Sequence, residues 1–159
     1  MLTRLFPKQI DNDYQGHVLA IWLLVPLVLM KFLQGANVAG LLGTSNSRQV
    51  LETVDKVPVG TFPPKAASHL VFLFAAWGVG IFILGLLGII VLLRYRAMIP
   101  LMYLLLLIEQ VGRKALSTIH LDRPFVSLAA SPANLINWGF LLTLVIGFLL
   151  SLSDRRPRT

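Results

Sequence analysis

The stretch from Arg94 to Lys114, RYRAMIPLMYLLLLIEQVGRK, constrains the fold most. Two arginines open it, an almost pure apolar run follows, and Glu109 stands inside that run. About 20 apolar residues, each rising about 1.5 Å, match a hydrocarbon core about 30 Å thick, so the run predicts a membrane-spanning helix. An acid inside such a helix is costly and marks a candidate functional position. Three further apolar runs flank this one. Together they predict an all-α, integral membrane four-helix bundle with antiparallel, up-down neighbours.

Composition enters as a check on that class. The chain is 56% hydrophobic and only 13% charged, against about 25% charged in a soluble domain. Its 159 residues leave room for one transmembrane domain, 1–159, and no separate soluble one. There is no cysteine, which excludes disulfides, thiolate metal sites and a cysteine nucleophile. The net charge of +7 fits basic loops beside anionic headgroups. Nucleic acid is not an expected partner, because no folded soluble face is available to carry a basic patch. The expected partner is the lipid bilayer, with a second copy or another membrane protein beside it.

Residues 1–16 are polar, with Leu5, Phe6 and Ile10 able to rest in the interface. The apolar run after them reads as a retained span rather than a signal peptide, since Asp11 and Asp13 precede it and no cleavage site follows. Span one is expected over 17–33, kinked at Pro26. Loop 34–67 carries SNSRQVLETVDK, with Val50, Leu51, Val54 and Val57 at helical spacing. This predicts a short amphipathic helix in the first extracytoplasmic loop, capped by Ser45 or Ser47. Pro58, Gly60, Pro63 and Pro64 are expected to break the chain after it. Span two, 68–93, sets Gly78, Gly85 and Gly88 near one face, where a neighbouring backbone can approach. Arg94, Tyr95 and Arg96 form a tight link to span three, 97–116, which has Pro100 in its first turn. Loop 117–133 lies on the same side as loop 34–67. Span four, 134–152, carries Gly139, Thr143, Gly147 and Ser151 at strict intervals of four. That small-residue stripe is the clearest packing signal.

Four spans put both termini on one side. Arg94, Arg96, Arg155, Arg156 and Arg158 lie immediately beside spans there, with Arg4 and Lys8 further out. The opposite side holds Arg48, Lys56, Lys65, Arg113, Lys114 and Arg123. Weighting by closeness to span ends makes the termini cytoplasmic, with Arg113 and Lys114 opposing.

Spans one and three then run the same way. Lys31 and Glu109 stand about 21 Å and about 18 Å above the inner ends of their spans. A Lys31–Glu109 pair is the candidate intramembrane polar site, bordered by Gln34, Gln110 and Arg113. Two local solutions compete. Lys31 can extend to the headgroups, and Glu109 can pair with Arg113 at i, i+4. His17, His69 and His120 sit at span edges and read as interfacial polar groups. Asn134 and Asn137 read as caps at the start of span four. No metal site, cofactor or catalytic motif is expected, so an enzyme is the least favoured class.

Three stretches carry a resemblance: RLFPKQIDNDYQGHVLAIW, DKVPVGTF and RYRAMIPLMYLLLLIEQVGR. They resemble a group of small, uncharacterised bacterial integral membrane proteins with four expected spans. The resemblance implies a bacterial inner-membrane location and carries over no activity or functional residue. The layout alone is distantly similar to DoxX-like four-helix membrane proteins. The favoured reading is a non-enzymatic accessory, scaffold or self-associating subunit. The rivals are a lipid or quinone binder edged by Lys31, Glu109 and Trp77, and a small oligomeric transporter or channel.

Overall fold

The computed structural model describes residues 5–7, 11–43, 46–54, 56–121 and 132–153. Among them are five α-helices and no strand. The helices are α1 (Val18–Val38), α2 (Ser47–Thr53), α3 (Pro64–Arg94), α4 (Ile99–Leu121) and α5 (Pro132–Leu152), with 3₁₀ turns at Val59–Thr61 and Arg96–Met98. Ser45, Arg4, Lys8, the Arg123–Pro124 part of the second loop and the basic tail Arg155, Arg156 and Arg158 fall outside the described residues.

Three helices, α1, α3 and the 135–152 part of α5, are long and apolar enough to cross a membrane. The expected third span forms as helix α4. Its second half carries Glu109, Arg113 and Lys114, which sets it apart from the other three in apolarity.

The helices outrun their expected ends for identifiable reasons. Span one was expected to stop at Leu33, before Gln34 and Gly35. Instead α1 continues to Val38, and Gly40 ends it with φ +73°. There Leu41 N–H donates to Ala36 O at 2.8 Å and Gly40 N–H to Asn37 O at 3.0 Å. This is the paired bonding of a Schellman cap, which glycine's left-handed backbone permits. Pro26 lies inside α1 without ending it. The expected break falls between α2 and α3 and runs as far as Pro63, with Phe62 extended (ψ 152°), but Pro64 already opens α3, ahead of the expected start at residue 68. Pro64 is the first helical residue, where a missing N–H is no loss, and Ala67 N–H donates to Pro63 O at 2.9 Å.

The amphipathic helix is shorter than expected and its cap is different. Asn46, not a serine, accepts from Gln49 N–H at 2.8 Å. Val50 and Leu51 are buried as expected, but Val54 is 70% exposed. Helix α2 ends at Thr53, and Lys56 then turns the chain with φ 58°, so Val54 leaves the buried face.

Contacts gather the chain into two units, Met1–Leu27 with Ile90–Thr159, and Val28–Ile89. In the second unit, part of α1 packs antiparallel on α3 at very close range. A β-carbon built on Gly78 would stand 2.5 Å from Ala39 N, on Gly85 2.5 Å from Phe32 N, and on Gly88 2.5 Å from Val28 Cγ2. Gly35 answers from α1, with its Cα facing the backbone of Phe82. The rings of Phe32 and Phe82 lie 4.7 Å apart beside these glycines. Leu51, Val59 and Ala67 form a second small core where α2, the 59–61 turn and α3 meet.

In the first unit α4 packs on α5, and Tyr103 is central. Its ring fills the space at Gly147, and its hydroxyl donates to Ala20 O at 2.7 Å. A buried tyrosine hydroxyl in an apolar setting needs such a partner. The segment before α1 is tied down at both ends. His17 N–H donates to Leu150 O at 3.1 Å, and Ala97 N–H donates to Asp11 O at 3.3 Å.

Candidate functional site

An α-helix places i, i+3 and i+4 on one side. On α4 this brings Glu109, Gln110 and Arg113 together. Arg113 Nη2 donates to Gln110 Oε1 at 2.6 Å. Arg113 Nε lies 3.6 Å from Glu109 Oε1, an ion pair with the two side chains 34% and 20% exposed. That separation is too long for a hydrogen bond between these two atoms. Gln110 itself is 1% exposed, so its amide oxygen is a buried acceptor that the guanidinium satisfies. One turn further on, Lys114 Nζ stands 4.2 Å from the centre of the Trp138 ring on α5, a cation–π contact.

The arrangement neutralises a carboxylate within its own helix. Of the two local solutions, the Glu109–Arg113 pair is formed. The other, Lys31 reaching out to headgroups, is not what the structure contains. Lys31 is 1% exposed, whereas an extended ammonium lies at the surface. Lys31, Gln34 and Trp77 belong to the second unit, and Glu109, Gln110 and Arg113 to the first.

The small-residue stripe divides. Gly147 and Ser151 are buried, with Gly147 against Tyr103 and the Ser151 carbonyl against Gly16. At Gly139 no described atom lies within 4 Å of a β-carbon position. Thr143 Oγ1 donates to Gly139 O at 2.8 Å, so the hydroxyl is spent within the helix.

His17 has a defined task. Its Nδ1 accepts from Leu19 N–H at 3.2 Å at the start of α1. His69 and His120 are exposed. Among the described residues no group of three or more His, Cys, Asp or Glu could hold a metal ion. Asn137 is half-buried on α5. Two contacts escaped the sequence reading: Tyr103, hidden as one more member of an apolar run, and Lys114 with Trp138. The phenol in mid-run was the available signal for the first, since its hydroxyl must be satisfied. Nothing local signals the second, which joins residues on two helices.

Compared with protein-family models, with curated proteins and with solved structures, the chain finds no match.

Proposed function

We propose that the chain is a four-span protein of the bacterial plasma membrane with both termini cytoplasmic, α4 crossing as the third span beside the three more apolar helices. It acts without catalysis, as an accessory, scaffold or self-associating subunit. At 23 residues, α4 is about 35 Å long, enough for a core of about 30 Å. Its ion pair at Glu109 lowers the cost of that crossing.

The observation that carries the reading is the open half of the α5 stripe. Gly139 offers a place where a second helix backbone can approach, and Leu135, Ile136 and Leu142 around it are exposed. Native mass spectrometry of protein released gently from its membrane tests this. An assembly with a second copy or a partner protein is expected. A monomer throughout overturns the reading.

Buried Lys31 favours a second reading, in which the chain binds a lipid or quinone or forms an oligomeric transporter, because an ionisable group inside an apolar helix marks a functional position by default. Glu109→Gln separates the two. Under the favoured reading it costs about 0.5–1 kcal/mol, as for a partly exposed ion pair, and the assembly keeps its mass. Loss of a retained small molecule with the fold intact supports the second reading instead.

A further inference from the structure

The second unit contains a groove that neither reading uses. Arg48 on α2, Gly60 in the 3₁₀ turn, Phe62, and Ser68, Phe72 and Ala75 on α3 line it. Its volume is about 580 Å³, within the range of about 300–1,000 Å³ usual for ligand sites. Buried Val59 and Ala67 both line the groove and belong to the packed core at the α2–α3 junction, so the wall is built rather than a chance gap.

Position along α3 indicates what occupies it. Helix α3 has 31 residues and is about 46 Å long, which exceeds a core of about 30 Å. Its first residues, PKAASH, are mixed and polar, and an unbroken apolar run follows over 70–93. The groove straddles that change. Pro64 and Ser68 belong to the polar start of α3, which would lie at headgroup level if the run 70–93 crosses the membrane, while Val71, Phe72 and Ala75 belong to the apolar run. Phe72 is 66% exposed, so the groove continues onto the apolar face of α3. Arg48 supplies a guanidinium at the upper end, reaching across from α2 until its Nη2 stands 3.9 Å from the β-carbon position of Gly60. Its Nε is held by Glu52 at 3.0 Å, which fixes the side chain. A cation above an apolar channel matches one molecule with an anionic head and a hydrocarbon tail.

We infer that this groove binds an anionic phospholipid, with the headgroup phosphate at Arg48 and an acyl chain along Val71, Phe72 and Ala75. The inference rests on the membrane-spanning reading but not on self-association. Guanidinium recognises phosphate through paired N–H donors. Glu52 competes with the phosphate for Arg48 and limits affinity.

The test uses full-length protein in micelles, titrated with phosphatidylglycerol or phosphatidylcholine of identical chains, with bound lipid counted per chain by native mass spectrometry. Phosphatidylglycerol binds preferentially. Arg48→Gln weakens it about fivefold, the effect of one basic residue near an anionic surface. Glu52→Gln strengthens it. Ser68→Trp, at an exposed position in the mouth, removes one bound lipid even if Arg48→Gln fails to fold. Arg94→Gln, at the far end of α3, changes nothing. Equal affinity for the two lipids overturns the proposal. So does equal loss in Arg48→Gln and Arg94→Gln, or a co-purifying quinone or peptide that Ser68→Trp displaces. The masses of the assemblies in the same spectra report separately on self-association.

Discussion

The two helix seams of the molecule use small residues in opposite ways. In the Val28–Ile89 unit, Gly78, Gly85 and Gly88 of α3 all seat the backbone or β-branched side chain of α1. In the other unit, among the described residues, the stripe on α5 seats a neighbour at Gly147 and Ser151 and meets none at Gly139. Geometry explains the difference. Successive residues on an α-helix turn by about 100°, so a spacing of four advances about 40° at each step. From Gly139 to Ser151 the stripe winds about 120° around α5, too far to face one straight neighbour. Gly78 and Gly85, seven apart, differ by only about 20°, and Gly88 stays within about 80° of Gly78. Seven-residue spacing keeps a seam on one side of a helix. Spacing of four leads one half of the seam away from the other.

The strongest attack on this comparison is Gly85→Leu. Its β-carbon would sit 2.5 Å from backbone nitrogen and 2.6 Å from the Cα of Phe32, and backbone cannot swing aside as a side-chain tip can. Overpacking costs about 1–3 kcal/mol in an adaptable core, and here we expect about 3 kcal/mol or more. The check is reversible unfolding in mixed micelles. Gly80→Leu, on the same helix and with no described neighbour within 4 Å, is the control and should be neutral or gain up to about 1 kcal/mol in helix propensity. If both substitutions cost the same, the α1–α3 seam does not depend on a close backbone approach.

Next in size is Tyr103→Phe, which probes the seam that is filled by a ring rather than by backbone. It keeps the ring against Gly147 and removes the hydroxyl, with its 2.7 Å bond to Ala20 O and its share of the Gly147 contact. The expected cost is about 1 kcal/mol, the net worth of one intramolecular hydrogen bond. A null result in the same unfolding assay would mean that Ala20 O is equally well served by its own helix, and that shape alone holds this seam.

Apolar runs located all four long helices, because hydrophobic length is a local property. The face bearing Gly78, Gly85 and Gly88 was legible for the same reason. The end of α1 was not. Span one was expected to end at Leu33, yet Gly35 lies inside the helix and admits the backbone of Phe82, while Gly40 supplies the true stop. A glycine's role depends on whether a neighbour arrives, which no local pattern encodes. The same holds for the α5 stripe, where periodicity identified small residues but not what covers them. Of the candidate polar site, the Glu109–Arg113 pair was legible as an i, i+4 spacing. The burial of Lys31 was not, because nothing around it in sequence distinguishes a lysine that extends from one that is enclosed.

The smallest effect on stability should come from Gly139→Leu, and it sharpens the comparison most. Among the described residues nothing outside its own stretch of helix lies within 4 Å of the new β-carbon, so no described neighbour opposes the substitution at that atom. Replacing glycine by leucine in a helix interior gains up to about 1 kcal/mol in propensity, so the monomer should be as stable as the parent or slightly more so. If the open half of the stripe receives a second helix, the same substitution fills the space that the incoming backbone requires and association falls. Stability and assembly therefore move in opposite directions for one variant. Gly147→Leu instead lowers stability, because it meets the Tyr103 ring inside the chain. Cross-linking in intact membranes, read beside unfolding in micelles, separates these outcomes. Unchanged cross-linking in Gly139→Leu would leave the open half of α5 facing lipid only, and would remove the observation on which self-association rests.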